Sequence, residues 1–279
     1  MIKIAIPNKG RLLEPTIKLF KKAGFEQKEF NKRKLCLETN CGKIKIFFIR
    51  TDEIGSYVES KIVDLGITGY DLVIENKYDV QKILDLNFGN CSLVFAGPKN
   101  KKIEEITKVA TKYKNISKKY LKNKKINAKI ISSPGATEIK PQLGIADSII
   151  DITSTGSTLK NNDLVIYDVI LSSSAVLIAN KECYKKNYKE IEEFIIALKS
   201  VILAENKNYL IFNIPKEVLT KIIDQIPCMR APTIVNTGDK NIVSVQTVVP
   251  NVDVSNIISK LKKFGTTDIL VLDINRVVV

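Results

Sequence analysis

The chain has 279 residues, 44% hydrophobic and 27% charged, the balance of a soluble globular protein with room for two or three domains and a sizeable core. It carries a net charge of +14 and no histidine, which removes the commonest general base, every Ser-His or Cys-His nucleophile pair and the usual zinc ligand set. Five cysteines, an odd number at irregular spacing, argue against a disulfide framework.

The charge excess is almost all lysine. The arginines are Arg11, Arg33, Arg50, Arg230 and Arg276, too few for base readout or bidentate phosphate clamps along a nucleic acid. Lysines such as Lys118, Lys119, Lys122, Lys124 and Lys125 crowd a polar helix face, the pattern of a solvated surface. No nucleic-acid partner is expected, although a positive field would gather small polyanions. The first residues read as a strand, without the long apolar core of a signal peptide, and no apolar run reaches membrane-spanning length. A cytoplasmic protein with no membrane association is expected.

In chain order, strands are predicted at Ile2–Ile6, Ile44–Ile49, Val63–Ile67, Ser92–Ala96, Lys129–Ser132, Ser148–Ile152 and Ala175–Ala179. Helical spacing lies between them. Leu13, Ile17 and Phe20 share a face before a Gly24 stop, and Thr51 is placed to cap Asp52–Ser60. This alternation predicts an α/β protein with largely parallel sheets. A long helix covers about Tyr188–Asn206, after which the rhythm changes. Strands at Tyr209–Ile214, Thr233–Asn236, Ile242–Val249 and Ile269–Ile274 enclose helices at Pro215–Gln225 and Val252–Phe264. That βαββαβ order is the ferredoxin-like pattern.

The most informative stretch runs from Ala146 to Leu159. An apolar strand ends in Asp151, and a hydroxyl-rich turn of Thr153, Ser154, Thr155, Ser157 and Thr158 folds around Gly156. Backbone N–H groups and hydroxyls in such a turn suit a phosphate, while a carboxylate at the strand end suits the vicinal hydroxyls of a ribose. Together they suit a phosphorylated sugar. The same turn also serves as an ordinary helix cap.

Several segments together resemble the ATP phosphoribosyltransferase family. They are Ile6-Pro-Asn-Lys-Gly-Arg-Leu12, Arg50-Thr-Asp-Glu-Ile54, Asp64-Leu-Gly-Ile-Thr-Gly-Tyr-Asp71, Val109-Ala-Thr-Lys-Tyr113, Gly135-Ala-Thr-Glu138 and the Asp147–Leu159 loop, in order along the chain. Arg230-Ala-Pro-Thr-Ile234 and the stretch from Gly265 to Ile274 resemble the regulatory domain of the family's long form. The resemblance implies two lobes like a type II periplasmic binding protein plus that ferredoxin-like domain. The first lobe is expected at about 1–90 and 180–207, the second at 91–179, and the regulatory domain at 208–279. It also implies transfer of the phosphoribosyl group of phosphoribosyl pyrophosphate to N1 of ATP, with Mg²⁺ and release of pyrophosphate, feedback inhibition by histidine, and a homo-oligomer of dimers or hexamers.

On that resemblance Asp151 binds the ribose hydroxyls, and Thr153, Ser154, Thr155, Gly156, Ser157 and Thr158 cradle the 5′-phosphate. Many phosphoribosyltransferase signatures pair two carboxylates here, but Ile152 follows Asp151; Asp147, four residues upstream, is either the second carboxylate or a surface residue or cap. Lys9 and Arg11 are candidates for polyphosphate, against a loop whose charges face water. Arg50 ends an apolar strand, an expensive place for a charge unless paired, with Asp52 as the structural alternative. Asp71 sits at the cleft or caps a helix, and Glu138 contacts substrate or decorates a helix start. Thr233 and Asp268 are expected near the inhibitor. No side chain is assigned to a metal. A solute-binding protein of the same architecture, or a transferase for another base, are the competing readings.

Overall fold

The computed structural model describes residues 1–26, 35–223, 225–229 and 231–278. β1 (Ile2–Pro7) is buried at all but one position, as a central strand covered on both faces must be. α1 (Leu13–Lys22) buries Leu13, Thr16, Leu19 and Phe20, a stripe at three- and four-residue spacing. β2 (Cys36–Glu38), β3 (Ile44–Ile49), α2 (Ile54–Glu59), β4 (Leu65–Gly69), α3 (Tyr70–Asn76) and β5 (Gln81–Asp85) follow. Then come β6 (Cys91–Pro98), β7 (Lys108–Thr111), α4 (Lys114–Asn123), β8 (Lys129–Ser132), β9 (Ser148–Thr153), α5 (Ser157–Asn161), β10 (Leu164–Ser173) and β11 (Ala175–Ala179).

These strands form two sheets, ordered β2-β3-β1-β4-β11-β5 and β10-β6-β9-β7-β8. Without the edge strand β2, the two orders are the same pattern. β3-β1-β4-β11-β5 corresponds to β8-β7-β9-β6-β10, each with three parallel strands and then an antiparallel one. In both sheets that antiparallel strand, β11 or β6, follows the crossover from the other sheet. This is the two-lobed, periplasmic-binding-protein-like architecture.

Two expectations are corrected. The sheets are mixed rather than largely parallel, because β2, β5, β6, β10 and β11 pair antiparallel. Ala175–Ala179, expected in the second lobe, is β11 of the first sheet, so the return crossover precedes Ala175. Its five residues are all buried, which demands an interior position; an apolar run does not say in which sheet. By contacts, Met1–Glu193 and Phe194–Val279 form two compact units, with the division after Glu193. It falls within α7 (Tyr188–Ala204), which follows α6 (Lys181–Lys186), itself capped by the Asn180 side chain accepting from the Glu182 and Cys183 amides.

The second unit continues with β12 (Lys207–Pro215), α8 (Leu219–Ile223), β13 (Thr233–Asn236), β14 (Ile242–Pro250), α9 (Val254–Lys263) and β15 (Thr267–Asp273). The strands pair antiparallel in the order β13-β14-β12-β15, the ferredoxin-like arrangement. β12 and β14 alternate strictly, turning Leu210, Phe212, Ile214, Val243, Val245 and Val249 onto Ile222, Ile257 and Leu261 of the helices. Among the described residues no helix is long and apolar enough to cross a membrane.

Candidate active site

β7, β8 and β9 run parallel, with Thr111 opposite both Ser132 and Ile150, so their carboxyl ends open on one edge of the second sheet. Three loops leave from that edge: Lys112-Tyr113, Ser133–Glu138, and the turn from Thr153 to Ser157. Ligands of α/β sheets gather at such edges. In the turn, the Thr153 hydroxyl accepts from the Gly156 amide at 3.0 Å and the Thr155 and Ser157 hydroxyls lie 2.9 Å apart. Gly156 takes φ +76°, a left-handed conformation that turns the chain into α5. Leu159 is buried and anchors that helix, leaving Ser154, Thr155, Ser157 and Thr158 exposed with hydroxyls to offer.

Asp151 lies one turn upstream on β9, half-buried, its Oδ1 accepting from the Ile152 amide at 2.8 Å. Burial pushes its carboxyl above the ordinary carboxylate range. The neighbouring Thr137 hydroxyl, the Ile152 N–H and the Lys112 charge pull it back, while Glu138 adds to the rise. Glu138 is thus near enough for its charge to act on Asp151. Ser154 also lines a cavity of about 360 Å³ with Cys91, Ser92 and Ser172–Ser174, where the chain crosses between the sheets. A larger cavity of about 830 Å³ lies elsewhere, over Ile74, Ile116, Tyr120 and Ile170, away from the phosphate turn.

The first sheet is built the same way. β1, β3 and β4 are parallel, so Lys9 and Arg11, Arg50, and Asp71 all follow carboxyl ends on one edge. Arg11 Nη2 donates to Cys91 Sγ at 2.9 Å, which brings its guanidinium to the serine-lined cavity. Lys9 is exposed in the same turn. Arg50 is exposed as well, and no ion pair joins it to Asp52. The expected expense of a charge on that strand does not arise, because the side chain leaves the strand end into solvent.

Asp71 is 2% exposed. Its Oδ2 accepts from the Tyr113 hydroxyl at 2.6 Å, and its Oδ1 from the Ser173 hydroxyl at 2.7 Å. The Ser173 hydroxyl in turn accepts from the Asp71 amide at 2.9 Å. Both carboxylate oxygens face the second lobe. Asp147 accepts from Lys101 Nζ at 2.6 Å, the Thr107 hydroxyl and amide at 2.8 Å, and the Lys108 amide at 2.9 Å. Burial pushes its carboxyl up, but these donors outweigh it and hold the group well below the usual range. Asp147 is a staple between β7 and β9, not a second sugar carboxylate.

Comparison with known proteins decides the family. The sequence pattern of HisG, ATP phosphoribosyltransferase, matches residues 50–200, and that of the HisG C-terminal domain matches residues 204–276. The chain belongs to the ATP phosphoribosyltransferase family. It is 40% identical over 284 residues to the ATP phosphoribosyltransferase of Sulfurisphaera tokodaii, covering 99% of this chain and 100% of that one. It is also 40% identical over 288 residues to that of Methanocaldococcus jannaschii, covering 99% and 100%. Among solved structures it is similar to the ATP phosphoribosyl transferase (HisG:HisZ) complex from Thermotoga maritima, at TM-score 0.66 and 31% identity over 73% of this chain and 99% of that one. Enzymes of this family catalyse the first step of histidine biosynthesis.

As a long member of the family, the chain carries Thr233 and Asp268 in its C-terminal domain. Thr233 is exposed on β13 and Asp268 on β15, at opposite edges of one sheet. Asp268 Oδ2 accepts from Asn213 Nδ2 at 3.1 Å. The structure does not bring these two residues together in one chain. Arg230 of the same segment lies outside the described residues. Sequence reasoning missed Lys112, Tyr113 and Thr137 as individual residues. Their segments were marked by resemblance, but only the pairing of β7, β8 and β9 reveals which side chains turn toward Asp151.

Proposed function

We propose that this chain joins C1 of phosphoribosyl pyrophosphate to N1 of ATP, expelling pyrophosphate. The observation carrying this reading is Asp151 beside a hydroxyl-lined turn, with Glu138 and Lys112 around it. The N1 lone pair of neutral adenine needs no base, which accords with a chain without histidine. The C1–O bond breaks toward an oxocarbenium-like sugar, and its electron pair leaves on pyrophosphate. Catalysis is then positioning and charge stabilisation. Asp151 holds the ribose hydroxyls, Thr153–Thr158 hold the 5′-phosphate, and Lys9, Arg11 and Arg50 meet polyphosphate. Asp71, whose oxygens already have donors, serves by holding the lobes in register.

Mg²⁺ enters this scheme as part of the substrate salt. Among the described residues no three acidic or cysteine side chains converge on a metal site. The donors at the loops are hydroxyls, amides and cations, a set that fits a polyphosphate carrying its own Mg²⁺ and neutralises charge on the leaving group.

The C-terminal domain, in this reading, takes histidine and slows the reaction. Because Thr233 and Asp268 sit on opposite edges, an inhibitor touching both lies between copies of the chain, in accord with a homo-oligomer. The test is purified protein with ATP, phosphoribosyl pyrophosphate and Mg²⁺, followed by ultraviolet absorbance with pyrophosphatase present. Adduct suppressed by histidine supports both parts. Adduct without suppression removes the regulatory part, and no adduct from folded protein removes the reaction.

A further inference from the structure

We propose that the cavity of about 830 Å³ over α3, α4 and β10 is a second ligand site, which takes a small molecule with an aromatic or aliphatic body and one or two anionic groups. None of its lining residues is among those assigned to phosphoribosyl transfer.

The floor of the cavity is apolar. Ile74 of α3, Ile116 and Tyr120 of α4, and Ile170 and Leu171 of β10 line it, each half-buried. Ile116 and Tyr120 are four residues apart and share one face of α4. Tyr120 is fixed at both ends. Its hydroxyl donates to Asp168 Oδ2 at 2.8 Å, and its ring meets that of Phe95 edge-on with centroids 5.8 Å apart. With its polar tip occupied, the ring is left to offer apolar surface. The walls come from both lobes, since α3 follows β4 of the first sheet while α4 and β10 belong with the second. Glu75 ties the two helices together beside the cavity, accepting from the Asn115 and Ile116 amides at 2.9 and 3.0 Å. Bonds already made hold these walls in place, as in the preformed sites that small ligands use.

The rim is cationic. Lys77 follows α3, and Lys118, Lys119 and Lys122 stand on α4, all exposed. Among the described residues none of the four is in an ion pair. The surrounding elements have no carboxylate to spare. α4 contains none, and those of α3 and β10, Asp71, Glu75 and Asp168, already have donors. Unpaired cations around an apolar floor are complementary to an anion carried on an apolar body. Size selects a small molecule, because sites of about 300–1,000 Å³ are typical for such ligands. A docked protein needs a wider contact, about 1,000 Å² or more. The lining also differs from that of the 360 Å³ cavity near Arg11, whose serine hydroxyls suit a bare phosphate.

The experiment titrates the full-length protein with 8-anilinonaphthalene-1-sulfonate, an anion on an aromatic body, by fluorescence and calorimetry. Uncharged N-phenyl-1-naphthylamine is its counterpart, and each variant is checked for cooperative melting. One sulfonate probe per chain is expected, still bound when ATP or phosphoribosyl pyrophosphate alone is saturating. The double variant Lys119→Gln, Lys122→Gln should weaken it about tenfold, the weight of one interaction with a charged group. Ile170→Gln, which wets the floor, should do the same. Lys262→Gln, Lys263→Gln makes an equal charge change on exposed positions of α9 and should leave the affinity unaltered. Equal losses in the α4 and α9 variants, wild-type affinity in the α4 variant, or displacement by either substrate overturns the site. Equal affinity for the charged and uncharged probes overturns the anionic class. If Ile170→Gln does not fold, the two exposed lysine variants decide the question by themselves.

Discussion

The Tyr113 hydroxyl donates to Asp71 Oδ2 at 2.6 Å, joining the lobe of the second sheet to that of the first. Four residues along α3, Glu75 makes a second crossing. Its carboxylate accepts from the Asn115 amide at 2.9 Å and the Ile116 amide at 3.0 Å, capping α4. The i, i+4 spacing puts both carboxylates on one face of α3, and both are buried. Tyr113→Phe leaves Asp71 one donor short in a buried place. The expected loss is about 1.5–3 kcal/mol of stability, read by urea unfolding at pH 7.

The same tyrosine predicts an alkaline effect. Burial, then the Asp71 charge and hydrogen bond, raise the Tyr113 hydroxyl far above its ordinary value, with Asp151 and Cys91 adding to the rise. A group raised on folding contributes stability in full below its unfolded value near 10, and that contribution is lost as pH climbs beyond it. The stability gap between wild type and Tyr113→Phe should therefore narrow between about pH 9.5 and 11. A gap that stays constant over urea titrations in that range would contradict the raised value.

Asp147 predicts the opposite limb. Its folded carboxyl is lowered, so its contribution is present above the unfolded value near 4 and is lost as pH falls toward the folded one. Asp147→Asn should cost about 2 kcal/mol at pH 7, with little difference from wild type at the acid end. Activity per folded molecule should be unchanged, since the carboxylate is spent on Lys101, Thr107 and Lys108.

Gly156→Ala separates backbone conformation from space. A Cβ there meets nothing within 4 Å, yet φ is +76°. The cost is about 1 kcal/mol of loop strain, with a raised KM for phosphoribosyl pyrophosphate and little change for ATP. Equal effects on both substrates would detach the turn from the 5′-phosphate.

Asp151→Asn should lower kcat/KM for phosphoribosyl pyrophosphate about a hundredfold, through two weakened bonds to a charged acceptor, without unfolding the protein. In the C-terminal domain, Thr233→Ala and Asp268→Ala are expected to relieve histidine inhibition while leaving the uninhibited rate intact. An equilibrium mixture of the two variants, analysed against each alone, reports whether the residues act across copies: one mixed interface in such a population keeps both wild-type partners.

Much of this architecture is local and was readable along the chain. The βαββαβ order of the C-terminal domain follows from alternation in β12 and β14 and from the apolar stripe of α9. Asp151 and its hydroxyl turn were legible because strand, carboxylate and loop are contiguous. β10 and β5 were not, since their half-exposed, mixed patterns become strands only against β6 and β11. Asp71 shows the same limit at a single residue. A carboxylate after a strand reads equally as a ligand contact or a cap until Tyr113 and Ser173, 42 and 102 residues away, take its oxygens.

Side-chain periodicity and turn chemistry act over a few residues, and they settled many of the elements, the phosphate-type loop and the kind of second domain. Which carboxylates reach a substrate and which tie lobes together depends on partners brought close by sheet order, across dozens of residues. Only folding supplies those neighbours, so Lys112 and Tyr113 come to stand near Asp151 at the edge where β7, β8 and β9 end side by side.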